Sequence, residues 1–157
     1  MLSDVARDYK NPHCAVARTA ELIGDGWTLL VLREAFLGAR RFSDFARRLA
    51  IAKNILSSRL ATLVEGGIFE KVPVGKMGER FEYRLTPMGK DLATILTALR
   101  QWGDRWLFGE GNEPLLVLDR QTGEPIPPVR IRREDGSLIR GRDMMLVAGP
   151  GLGRSES

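Results

Sequence analysis

Cysteine and histidine are nearly absent from this 157-residue chain, which has one of each, Cys14 and His13. A lone cysteine forms no internal disulfide, and with a single histidine it cannot complete the four-ligand shell of a structural zinc site. A reducing, cytoplasmic setting without metal or other cofactor is therefore expected. Long apolar runs are missing too. The stretch from Trp27 to Leu32 is interrupted by Thr28 and closed by Arg33 and Glu34, far short of the roughly 18 residues that cross a bilayer. The first dozen residues carry Asp4, Arg7, Asp8 and Lys10 where a secretory signal needs an apolar segment. Neither a membrane partner nor export is expected.

What remains is ordinary globular material, 43% hydrophobic and 28% charged, of a length that fits one domain with an appendage. The 24 basic residues exceed the 20 acidic ones by four, and 19 of them are arginine. Guanidinium groups bind phosphate oxygens bidentately, yet so small an excess serves solubility equally well. Placement along the chain has to decide.

From Cys14, the residues Val16, Ala20 and Ile23 recur at helical spacing and Gly24 stands where a helix stops. A second segment, Trp27 to Gly38, is apolar around most of its circumference, as the central helix of a small bundle is. Ser43 is a candidate N-cap for a short third helix whose stripe is Phe45, Ala46 and Leu49. A fourth opens near Ala52. At 100° per residue its Leu56, Leu60 and Leu63 share one face, with Asn54, Ser57, Ser58 and Ala61 roughly opposite. After Gly66-Gly67 the period changes to two in 68–74 and 81–85, around a charged, glycine-bearing tip at 75–80, which predicts a hairpin. Thr86-Pro87 then caps a long fifth helix reaching about Leu107, with Leu92, Ile95, Leu96, Leu99, Trp102 and Trp106 on one face.

The expected fold is α+β and mainly helical: a winged helix-turn-helix domain with a long C-terminal helix over 1–108, a small β-rich hairpin extension over 109–148 and a loose tail over 149–157. Two strand-like runs, Leu115-Leu116-Val117-Leu118 and Val129-Arg130-Ile131-Arg132, mark the extension.

In such a domain the helix after the tight turn enters the major groove and the hairpin tip reaches the flanking backbone. A groove helix needs one apolar face for its scaffold and short polar side chains opposite. Asn54 suits bidentate bonding to adenine, and Ser57 and Ser58 can donate to or accept from bases. Arg40, Arg41, Lys53, Lys76 and Arg80 fall on connecting elements and the helix start, where phosphates would pass. Taken alone the same polar face would read as plain solvated surface, a reading that gives way once the hairpin follows at the right distance, and Arg59 could contact DNA or brace Glu34 or another acid.

Several stretches in register resemble the HxlR-type regulators, bacterial winged-helix transcription factors distantly similar to the MarR group. They are 14–18 with 22–24, 27–34, 41–45 (Arg-Phe-Ser-Asp-Phe), 56–60 (Leu-Ser-Ser-Arg-Leu), 65–67 and 82–86. The resemblance covers about Cys14 to Trp106. It implies a homodimer on double-stranded DNA carrying an inverted-repeat operator, assembled mainly through helix one and the fifth helix. Leu92, Ile95, Leu99, Trp102 and Trp106 are then interface candidates. Some members sense oxidants through a cysteine near the position of Cys14, though a buried inert thiol fits that residue as well. Some relatives have tails with paired, metal-suited cysteines, of which 115–147 contains none. The extension could add interface, contact a small-molecule effector or simply stabilise.

No nucleophile with a base, and no phosphate loop in strand-loop-helix context, supports an enzyme. The reading is a DNA-binding regulator, more simply a repressor; a winged helix used for protein contact is the rival.

Overall fold

The computed structural model describes residues 13–75 and 80–151. They form α1 (Ala15–Ile23), α2 (Gly26–Phe36), α3 (Phe42–Leu49), α4 (Lys53–Glu65), β1 (Phe69–Val74), β2 (Arg80–Leu85) and α5 (Pro87–Gly103). Short helical turns follow at Asp104–Phe108 and Gly141–Asp143. The expected α+β, mainly helical architecture is present. Lys76 lies outside the described residues, as do 152–157 of the expected tail.

Local chemistry fixes the ends. Asp25 caps α2, its Oδ1 accepting from the N–H groups of Trp27 at 3.0 Å and Thr28 at 3.2 Å. Gly38 follows that helix with φ +93°, a left-handed value that suits glycine, and its N–H bonds the Ala35 carbonyl at 3.1 Å. Ser43 is not a cap, because α3 begins one residue earlier at Phe42. Asp44 does the capping from inside the first turn, accepting from the Arg41 N–H at 3.0 Å and the Arg40 N–H at 3.3 Å. These bonds, Arg41's first, hold the Asp44 carboxyl below its ordinary value of 3.8. Between α3 and α4, Ala50 takes a left-handed φ of 48°.

The described residues up to Lys90, together with 146–151, form one compact unit, and Asp91–Met145 form another. In the first, Val31, Leu32 and Ala35 of α2, Phe45 of α3, and Leu56, Leu60 and Leu63 of α4 are essentially fully buried. A leucine so buried stabilises by about 1.5–3 kcal/mol. α2, α3 and α4 pack on one another, and α4 also packs on β1. The antiparallel hairpin runs in register from Phe69 opposite Leu85 to Val74 opposite Arg80. Phe45, Phe69 and Tyr83 form an aromatic triangle with centroids 6.2–6.4 Å apart, joining α3 to both strands. The Tyr83 N–H donates to the Arg40 carbonyl at 2.7 Å, which ties the α2–α3 connector to β2 by its backbone.

Thr86 closes the hairpin. Its Oγ1 donates to the Gly67 carbonyl at 2.6 Å and accepts from Gly89 N–H at 3.1 Å, as the cap that precedes Pro87.

In the second unit, α5 gives way at Gly103 to a wider turn, Asp104–Phe108, ended by the i→i+5 bond from Gly109 N–H to the Asp104 carbonyl at 2.9 Å. The two strand-like runs each become half of a small hairpin, with bridges Leu118–Pro125 and Arg132–Leu138. The Gln101 side chain grips the extension by its backbone, donating to the Pro127 carbonyl at 3.0 Å and accepting from Val129 N–H at 2.7 Å.

Candidate nucleic-acid interface

α4 divides sharply. Leu56, Leu60 and Leu63 are 0–1% exposed, while Lys53, Asn54, Ser57, Ser58 and Ala61 are exposed. The side chains of Lys53, Asn54, Ser57 and Ser58 bond to no described residue. The start of this helix is open as well. Ala52 occupies the capping position and has no side-chain oxygen to offer the first N–H groups, and Lys53 adds positive charge beside them. A helix start left this way suits an anion and not the chain's own carboxylates.

The other basic groups differ in how free they are. Arg41 is about half exposed, with Nε 4.0 Å from Glu82 Oε1, and Glu82 is held more closely by Arg84 at 2.9 Å. Arg80 is exposed at the start of β2. Arg40 is more committed, because its Nη1 donates to the carbonyls of Ala35 at 2.8 Å and Ala39 at 3.0 Å. Much of what it offers thus closes the end of α2. Sequence reasoning missed Lys71, exposed on β1, whose Nζ sits 4.6 Å from the Phe81 ring centroid. The period-two pattern of 68–74 already placed it on the same strand face as Phe69, so only its exposure needed the structure.

Arg59 braces, and its acid is Asp25. Glu34 is buried and pairs Arg33 at 2.7 Å and Arg48 at 3.6 Å.

Residues 22–110 match the model of the HxlR-like helix-turn-helix family. The chain belongs to that family. Its HxlR-like relatives include the uncharacterized HTH-type transcriptional regulator Rv3095 of Mycobacterium tuberculosis, 42% identical over 151 residues, spanning 96% of this chain and 94% of the relative. Among solved structures, that of PA1607, a candidate transcription factor, is 40% identical with a TM-score of 0.83, covering 90% of this chain and 99% of that one. The redox regulator HypR in its reduced form is 27% identical with a TM-score of 0.54, over 60% of this chain and 96% of its own. This HxlR-like chain is thus a transcriptional regulator of helix-turn-helix type. Among the described residues no helix is long and apolar enough to cross a membrane.

The expected interface residues, Leu92, Ile95, Leu99 and Trp102 on α5 and Trp106 in the wider turn after it, are open to different degrees. Ile95, Leu99, Trp102 and Trp106 are 43–65% exposed and Leu92 is half-buried. Cys14 is also half-buried and sits at the N-cap of α1, with Sγ accepting from the Ala17 N–H at 3.4 Å.

Proposed function

We propose that the chain is a sequence-specific DNA-binding repressor that acts in the cytoplasm as a homodimer on an inverted-repeat operator. The unpartnered face of α4 carries this reading. Asn54, Ser57 and Ser58 read base edges, while Lys53 at the open helix start holds a phosphate. Arg41, Lys76 and Arg80 contact the backbone on either side, and Arg40 adds to them with the guanidinium N–H groups its carbonyl bonds leave over. Leu92, Ile95, Leu99, Trp102 and Trp106 meet a second copy.

Selection of bound sequences from random duplex DNA tests this directly. An enriched inverted repeat with half-sites about one helical turn apart is expected, and recovery of no enriched sequence overturns the reading. A salt titration separates it from protein contact, because phosphate neutralisation gives affinity that falls linearly on log-log axes.

A second reading, gating of the same regulator by oxidation of Cys14, has support from the half-exposed position of its sulfur at a helix start and from the likeness to HypR. A thiol oxidant should weaken operator binding by the native protein and spare Cys14→Ser. Equal responses discard it.

A further inference from the structure

The second unit has a composition problem. None of the residues of Asp91–Met145 is buried, whereas the winged unit buries thirteen hydrophobic residues. Fourteen large apolar side chains of the second unit are instead exposed by 38–84%. Its backbone is nonetheless ordered, by the Gln101 grip and by cross-strand bonds such as Ile126 N–H to the Val117 carbonyl at 3.0 Å and Ile139 N–H to the Ile131 carbonyl at 2.9 Å. Ordering each residue costs conformational entropy, and the half-buried side chains and hydrogen bonds of this unit stand against that cost without a buried apolar core.

We infer that Asp91–Met145 is a dimerisation module completed only by the same unit of a second copy, with the extension beyond Gly109 joining α5 in the interface. The inference rests on the homodimer reading and deepens it. The exposed apolar residues offer on the order of 1,500 Å², well above the roughly 800 Å² that each partner buries in a standard interface. Trp102, Trp106, Leu115 and Leu116 line an open trough of about 720 Å³, and Met145, 84% exposed, is of a kind to fill one. Self-pairing lets each copy supply both surfaces. Charge agrees: 109–148 holds six arginines and seven acidic residues, so this segment does not attract a polyanion and does not repel its own copy.

The test is sedimentation of the full chain beside the double variant Leu115→Glu/Leu116→Glu. Both positions are over two-thirds exposed in a lone chain, so the fold of a monomer should tolerate the change. A dimeric native chain whose dissociation constant rises at least about 100-fold in the variant supports the inference. Equal dissociation constants overturn it while leaving the α5 homodimer standing. A native chain that is monomeric at tens of micromolar overturns both. Should the variant aggregate, hydrogen exchange of the native chain decides: the amides of Ile126 and Ile139 should lose at least tenfold protection when diluted below the dissociation constant, and unchanged protection overturns the extension's role.

Discussion

Arg59 and Asp25 join α4 to the start of α2. Arg59 Nη2 donates to Oδ2 at 3.2 Å, while its Nε approaches Oδ1 at 3.0 Å in a direction that makes no hydrogen bond. The same Oδ1 caps α2. One carboxylate therefore serves two helices. Asp25→Ala should lower stability by about 1–2 kcal/mol in urea unfolding, mostly through the cap. Combined with Arg59→Ala, it should reveal a coupling below about 1 kcal/mol, because both partners are a third or more exposed. A larger coupling would mean the brace and not the cap dominates.

Base and backbone roles on α4 separate by substitution. Asn54→Ala should cost about 1–3 kcal/mol of operator affinity and relax preference at one base pair, whereas Lys53→Ala should weaken every duplex alike and lower the salt slope by about one unit. Binding to operator and scrambled DNA over a salt series checks both. Identical losses on every duplex would refute the division.

The periodicity that located α4 is a local property, and local properties were legible. Leucines every three or four residues, Thr86-Pro87 and the glycine-bearing hairpin tip each carry their signal within one or two turns of chain. What escaped depends on distant partners. Nothing near Arg40 announces that its carbonyl meets Tyr83 or that its guanidinium closes α2, and the acid that Arg59 finds is 34 residues away. Ser43 misled because the helix starts at Phe42, one residue before it, and Asp44 secures that start by accepting from the N–H groups of Arg41 and Arg40. The extension read as β-rich from its apolar runs, but the turn at 119–124 between Leu118 and Pro125 gave no comparable pattern. The widening beyond Gly103 is likewise not marked by a break in the apolar stripe, which runs on to Trp106.

Gly89 leaves no room for a side chain. A Cβ there would overlap the Ile68 carbonyl oxygen and lie 2.9 Å from Leu85 Cδ2. The first is backbone and cannot swing aside. Gly89→Ala should therefore destabilise by about 1–3 kcal/mol in spite of the better helix propensity of alanine. A rise in thermal midpoint would contradict the close approach.

Asp44 supplies a pH signature. Its carboxyl is depressed first by the Arg41 N–H and then by that of Arg40, so its stabilisation is complete above the unfolded value near 3.8 and is lost as pH falls through the lower folded value. Asp44→Asn should be less stable than the native chain by about 1 kcal/mol at neutral pH, and the gap should close in strong acid. Urea midpoints across the acid range provide the check, and a gap independent of pH would assign the effect to shape.

The bond from Tyr83 to Arg40 makes the wing and the corner ahead of α3 one lever. A load applied at the hairpin tip, whether by a phosphate or by a bound molecule, has in this amide a direct backbone route to the corner at Arg40, beside the Arg41–Glu82 ion pair. Deuterium uptake at the Tyr83 amide should then report engagement of the tip, well before any helix has to shift.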